Sequence, residues 1–226
     1  QQAEVDQFTS RSEATLAGHL DAEGAQRNTK MPTIRPEEGK KYTDFQLSYA
    51  LDRKKGVLVE ASRVASRPGA GPRHIDFHPT KPLAYVINEL DSTITTYRKS
   101  GPVLAPLQTT PSCPDTFTGY STGAELWVGR DGRHVYVTNR GHDSIGVFAI
   151  DPSRGTLSPK QWVPTHGSVP RFFAFDRAER FLYVANQGGD TIFAYKVGHD
   201  GKLSPTRIKV AVGSPACIVF SRGASS

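Results

Sequence analysis

The sequence predicts an all-β chain of repeated four-stranded units, on three observations. Its 226 residues include 21 Gly and 16 Pro, which interrupt the chain too often for long helices and argue against a helical bundle. Apolar and polar residues alternate with period two, the signature of half-buried strands. Three segments also share one gapless pattern: YVINELDSTITTY from Tyr85, YVTNRGHDSIGVF from Tyr136 and YVANQGGDTIFAY from Tyr183. Each carries Asn three positions after its Tyr (Asn88, Asn139, Asn186), then Ile94, Ile145 or Ile192, then an aromatic ring. The starts lie 51 and 47 residues apart, close to the roughly 40 to 50 residues of a propeller blade. Four antiparallel strands repeated at that period describe a β-propeller.

In chain order, residues 1–44 are polar and aperiodic and predict no strand, so they form an irregular or degenerate N-terminal segment ahead of the blades in 45–226. Phe45–Asp52 and 56–66 read as strands C and D of an earlier blade, because Tyr49 stands 48 residues before Tyr97. The first whole unit has strand A at His74-Ile75-Asp76-Phe77-His78, a Pro-Thr-Lys-Pro turn, strand B at Ala84-Tyr85-Val86-Ile87-Asn88 and strand C from Thr93 to Tyr97. A strand D follows the next turn, as in Leu157 to Val163 and Leu203 to Val210. Residues 214–220 align with strand A, Pro215 matching Pro72 and Pro170, and predict a last strand. A chain that begins on strands C and D and ends on strand A predicts an open arc of about four blades or part-blades, with self-association through its unpaired edges.

Composition narrows the function. The net charge is +6, but Lys and Arg are scattered among acids, with no basic run interleaved with aromatics. That excludes a nucleic-acid groove and leaves affinity for small anions. Cys113 and Cys217 stand far apart without C-x-x-C spacing, so neither a zinc site nor a disulfide framework is indicated, and a reduced, cytoplasmic protein is expected. The start, QQAEVDQFTS, has no initiator Met, basic region or apolar core and reads as a cut end. Nothing approaches the ~20 apolar residues of a membrane span.

Because strands A and B are antiparallel, the start of A and the end of B lie at the same end of a blade. Parity therefore gathers Arg73, His74, Glu125 and Arg171 from the starts of A with Glu89, Arg140, His142 and Gln187 from the B to C turns. With strand A innermost, these residues ring the mouth of a central channel and suit an anionic substrate and proton transfer. His74, Glu125, Phe172 and Cys217 occupy one equivalent position with four different side chains, which favours function over structure for His74 and Glu125. The recurring Asn88, Asn139 and Asn186 are expected to cap the B to C turns, and Asp143 and Asp190 to fix them. His78, His134, His166 and His199 are expected to be solvated.

The strings GAGPRHIDFHP, AYVINELDST, STGAELWVGRDGRHVYVTNRGHDSI, THGSVPRFFAFD and FLYVANQGGDTI resemble the propeller-type lactonase family, which includes bacterial 6-phosphogluconolactonases and the fungal 3-carboxy-cis,cis-muconate cyclase. The resemblance runs from about Asp44 to Phe220. It implies a seven-bladed architecture lacking its N-terminal blades here, and hydrolysis of 6-phosphogluconolactone to 6-phosphogluconate in the pentose phosphate pathway, without metal or organic cofactor. Muconate cycloisomerisation and a non-catalytic binding platform are the alternatives. The family's rim residues correspond to Arg73, His74, Glu89, Glu125, Arg140 and Arg171. His74, Glu125, Arg140 and Arg171 are taken as catalytic, and Arg73, Glu89, His142 and Gln187 as substrate-binding.

Overall fold

A computed structural model describes residues 45–52, 57–101 and 103–221, and places fourteen strands in them. The expectation for residues 1–44 lies outside the described residues. A two-stranded antiparallel ribbon, β1 (Phe45–Asp52) and β2 (Val57–Ala65), precedes three four-stranded antiparallel sheets. The first sheet contains β3 (Pro72–Phe77), β4 (Leu83–Asn88), β5 (Thr93–Ser100) and β6 (Val103–Pro111). The second contains β7 (Thr122–Val128), β8 (His134–Arg140), β9 (Ser144–Ile150) and β10 (Leu157–Pro164). The third contains β11 (Pro170–Phe175), β12 (Phe181–Asn186), β13 (Thr191–Val197) and β14 (Leu203–Ala211). In each sheet the strands pair in sequence order, as in a propeller blade.

Strands inside a blade are buried on both faces, and period-two alternation sends successive side chains to opposite neighbours. Val135 and Val137 of β8 pack with Tyr85, Ile87 and Ile94 of the first blade and with Phe148. Tyr136, between them, packs with Phe173, Phe175, Leu182 and Val184 of the third blade. One short strand thus bonds two blades. Polar staples repeat at both junctions between the four-stranded sheets: Tyr85 and Tyr136 donate hydroxyl hydrogen bonds to the carbonyls of Gly155 (3.0 Å) and Gly201 (2.9 Å) in the next blade. The side-chain amides of Gln108 and Gln161 likewise exchange two hydrogen bonds with the backbones of Leu157 and Leu203.

Asn88, Asn139 and Asn186 occupy the same register position, facing Thr93, Ser144 and Thr191 across the hairpin. Each Nδ2 donates to that residue's hydroxyl, at 2.8, 3.2 and 3.3 Å. Asn139 and Asn186 also bond the carbonyls of Ser112 and Thr165, tying down the connection from the preceding blade. These asparagines fix turns. Asp143 and Asp190, both at positive φ, do the same: Asp143 Oδ1 accepts from the amides of Gly141 and Val169, and Asp190 Oδ1 from Ser214.

Two expectations need correction. Residues 214–220 form no strand, because no described strand lies beside them to complete a ladder; Phe220 instead rests on Tyr183, with ring centroids 5.5 Å apart. His78 and His134 are buried, not solvated. His78 Nδ1 accepts hydrogen bonds from the amides of Thr80 and Lys81 and so closes the turn from β3 to β4, while Nε2 lies 3.0 Å from the Gly132 carbonyl. Burial lowers the pKa of both imidazoles. His166 and His199 are exposed.

Candidate functional site

Strand β7 lies against both β3 and β11 across the blades, so residues at their starts converge. All three break register at that point, between Pro72 and His74, between Gly123 and Leu126, and between Pro170 and Phe172. Such a bulge leaves a residue without an opposite partner and turns nearby side chains out of the pleat. Arg73 and Arg171 are the unpaired residues of their strands, and Glu125 lies inside the irregular stretch of β7. The Glu125 amide, deprived of a ladder partner, donates to Thr138 Oγ1 at 2.9 Å. The polar exceptions in the sequence thus fall where the ladders of β3, β7 and β11 are broken.

At the centre, His74 Nδ1 lies 2.6 Å from Glu125 Oε1, which also accepts the Leu126 amide at 3.0 Å. Glu125 is buried, while about a third of the His74 side chain stays exposed. Arg73 Nη1 donates to the Ala124 carbonyl at 2.6 Å and lies 3.4 Å from His74 Nε2. Glu89 joins two guanidinium groups: Oε1 is 2.5 Å from Arg140 Nη2, and Oε2 is 3.5 Å from Arg73 Nε. Arg140 Nη2 also donates to the Gly123 carbonyl at 3.1 Å.

Burial, followed by the Arg140 charge, pulls the Arg73 pKa below its ordinary value, against the opposing pull of Glu89 and Glu125. Arg171 is near enough to act on Arg73 electrostatically, and its side chain makes no hydrogen bond or ion pair among the described residues. Three arginines against two glutamates leave the cluster net positive. Glu125 Oε2 and Arg140 Nε are buried without a hydrogen-bond partner among the described residues, so one acceptor and one donor stay uncommitted at its heart.

Arg73, His74, Glu89, Glu125 and Arg140 therefore touch one another in a chain, with Arg171 beside them. His142 and Gln187 do not join that chain. The His142 ring stacks edge-on against Phe117 at 4.6 Å, and its Nδ1 lies 2.6 Å from Ser144 Oγ. Gln187 donates its backbone amide to the Val169 carbonyl, and its side chain makes no hydrogen bond among the described residues.

Asp76 is an addition that the sequence reading did not single out. It lies two residues beyond His74 on the same strand face. Its Oδ2 accepts the Val128 amide of the next blade at 2.7 Å, and its Oδ1 accepts the Phe77 amide at 2.8 Å. Burial raises its pKa to about 6, with the nearby Glu125 charge adding to the shift and the two amides opposing it. The available signal was an acid in mid-strand between Ile75 and Phe77. No group of three or more metal-ligating side chains occurs among the described residues.

The profile of the family described as Lactonase, 7-bladed beta-propeller matches residues 43–220. A 6-phosphogluconolactonase of Bacillus subtilis is 39% identical over 175 residues, covering 76% of this chain and 50% of that protein. A 6-phosphogluconolactonase of Erwinia tasmaniensis is 32% identical, with 77% and 53% covered. The structure of a periplasmic gluconolactonase of Pseudomonas aeruginosa superposes with a TM-score of 0.71 at 32% identity, covering 77% of this chain and 50% of that one. The chain spans about half the length of the curated relatives it matches. Sheet architecture, repeat and sequence agree: the chain belongs to the lactonase family of seven-bladed β-propellers.

Proposed function

We propose that the cluster hydrolyses a sugar-acid lactone, with 6-phosphogluconolactone as substrate and 6-phosphogluconate as product. The observation that carries this reading is the 2.6 Å contact between His74 and Glu125 beside paired arginines. A carboxylate on one imidazole nitrogen fixes the tautomer and leaves the other nitrogen as a base. With its proton on Nδ1, held by Glu125, His74 takes a proton at Nε2 from a water molecule whose oxygen bonds to the lactone carbonyl carbon. The carbonyl oxygen becomes an oxyanion opposite the guanidinium groups, whose fixed charges need no reorganisation at that moment. Collapse breaks the bond between that carbon and the ring oxygen, and His74 Nε2 returns the proton to the departing oxygen. Arg171, whose side-chain donors are uncommitted among the described residues, is suited to the phosphate.

Turnover of the phospholactone, read by coupled oxidation of the sugar acid, tests the reading. His74→Ala and Glu125→Gln are each expected to lower kcat by about 100-fold or more. Unchanged turnover in both variants would overturn it.

A further inference from the structure

Beside the cluster lies an open cavity of about 360 Å3 whose lining includes none of the residues assigned to the lactone reaction. Its outer wall is the connection from β6 to β7, residues 112–121. The equivalent connection from β10 to β11 needs only residues 165–169, and that from β2 to β3 only 66–71. Five or six residues therefore suffice to pass between blades, and the longer connection has length to spare for a site. Rim loops on a rigid scaffold are where propellers and other folds place binding residues.

The wall is tied to the cluster. Ser121 Oγ donates to the Arg140 carbonyl at 3.1 Å, and the opposite side of the cavity is formed by Leu90 and Asp91, next in sequence to Glu89. The lining is apolar on Leu90, Pro111, Pro114 and Phe117, with Tyr120 69% exposed. Its charges are two carboxylates. Asp91 is held by Arg67 and Thr93, whereas Asp115 is exposed and makes no hydrogen bond or ion pair among the described residues. No Lys, Arg or His lines the cavity among the described residues.

We infer that this cavity binds a neutral, hydroxyl-rich ring, such as a second sugar unit carried by the lactone. An exposed phenol offers a flat apolar face for the C–H side of such a ring, and a carboxylate offers acceptors for its hydroxyls. A phosphate or carboxylate would meet Asp115, and Arg67 is already paired with Asp91, so the anionic part of a substrate belongs over the arginines of the cluster instead. The two regions divide the work by charge: Arg73, Arg140 and Arg171 for the anion, and the 112–121 wall for an uncharged extension. The inference rests on the lactonase reading only in making both regions serve one molecule.

The test uses cellobiose, a neutral disaccharide that is no lactone, so binding is read without hydrolysis. Saturation-transfer NMR on the full chain is expected to show contact, with affinity about tenfold weaker in Tyr120→Ala and in Asp115→Asn and unchanged in Lys209→Ala, an exposed position on β14 outside both regions. Tyr120 and Asp115 are exposed, so neither substitution threatens the fold. No transfer to cellobiose, or transfer undiminished in both wall variants, would overturn the inference. Cellobiose binding that depends on the wall in a chain that turns over no lactone would support the cavity and refute the lactonase reading.

Discussion

Asp76 makes stability depend on pH in a direction opposite to that of an ordinary paired carboxylate. Its pKa is about 6 in the folded chain, against 3.8 for the unperturbed group, because burial disfavours the charged form more than two backbone amides favour it. The folded state therefore holds this proton after the unfolded state has released it. The resulting stabilisation is fully present below pH 3.8 and is lost as pH rises through about 6. Two pKa units and a little more correspond to about 3 kcal/mol at most. Asp76→Asn removes the titration, at a constant cost from turning an amide NH2 toward backbone donors. Urea unfolding of both proteins at pH 4, 5, 6 and 7 isolates the effect, since all other groups are shared. The wild type is expected to lose up to about 3 kcal/mol more than Asp76→Asn between pH 4 and 7. Curves that stay parallel across that range would show that Asp76 ionises like a solvated acid, and the argument from burial would be refuted.

Removing the Tyr136 hydroxyl leaves the buried Gly201 carbonyl without that donor, so Tyr136→Phe should destabilise by about 1 to 3 kcal/mol in urea unfolding. Gly141 sits at φ +100 with its missing Cβ directed at the Tyr120 carbonyl oxygen, whereas Gly69, at φ +78, faces open space. Gly141→Ala should therefore lower the thermal midpoint more than Gly69→Ala, which carries backbone strain of about 1 to 2 kcal/mol alone. Phe148→Ala opens a hole between the first two blades and should cost about 3 to 5 kcal/mol, measured the same way. If Arg171 holds the phosphate, Arg171→Met should raise KM for the phosphorylated lactone at least about tenfold more than for gluconolactone, in parallel steady-state assays.

The blades were legible because a propeller writes itself into sequence twice, as period-two alternation within each strand and as a repeat of about 50 residues between Tyr85, Tyr136 and Tyr183. Parity alone put Arg73, His74, Glu89, Glu125 and Arg140 at one end of their blades, and the fold brings these five into contact. His142 and Gln187 satisfied the same parity but stay outside the contact chain, because parity names an end of a blade and not a direction across it. The buried state of His78 and His134 was not legible either. Their neighbours, Gly132 and Gly201, come from other blades, where a Cβ would strike the imidazole rings. Residues 214–220 repeat the strand A pattern, yet a strand exists only where another strand accepts its hydrogen bonds.

Sequence by itself determined what is local and periodic: strand content, blade length, turn residues, and the polar exceptions at the starts of strand A. Only the tertiary structure decided how those exceptions pair. The sequence placed Glu89 at the rim, and the structure shows its carboxylate spanning Arg140 and Arg73. Asp76 looked like one more polar position in an alternating strand, but it receives the Val128 amide from the next blade. Both outcomes depend on charges and amides 16 to 52 residues apart in the chain that lie within 4 Å in space. The energy of a charge is set by what surrounds it at that distance, so no pattern along one strand could have supplied it.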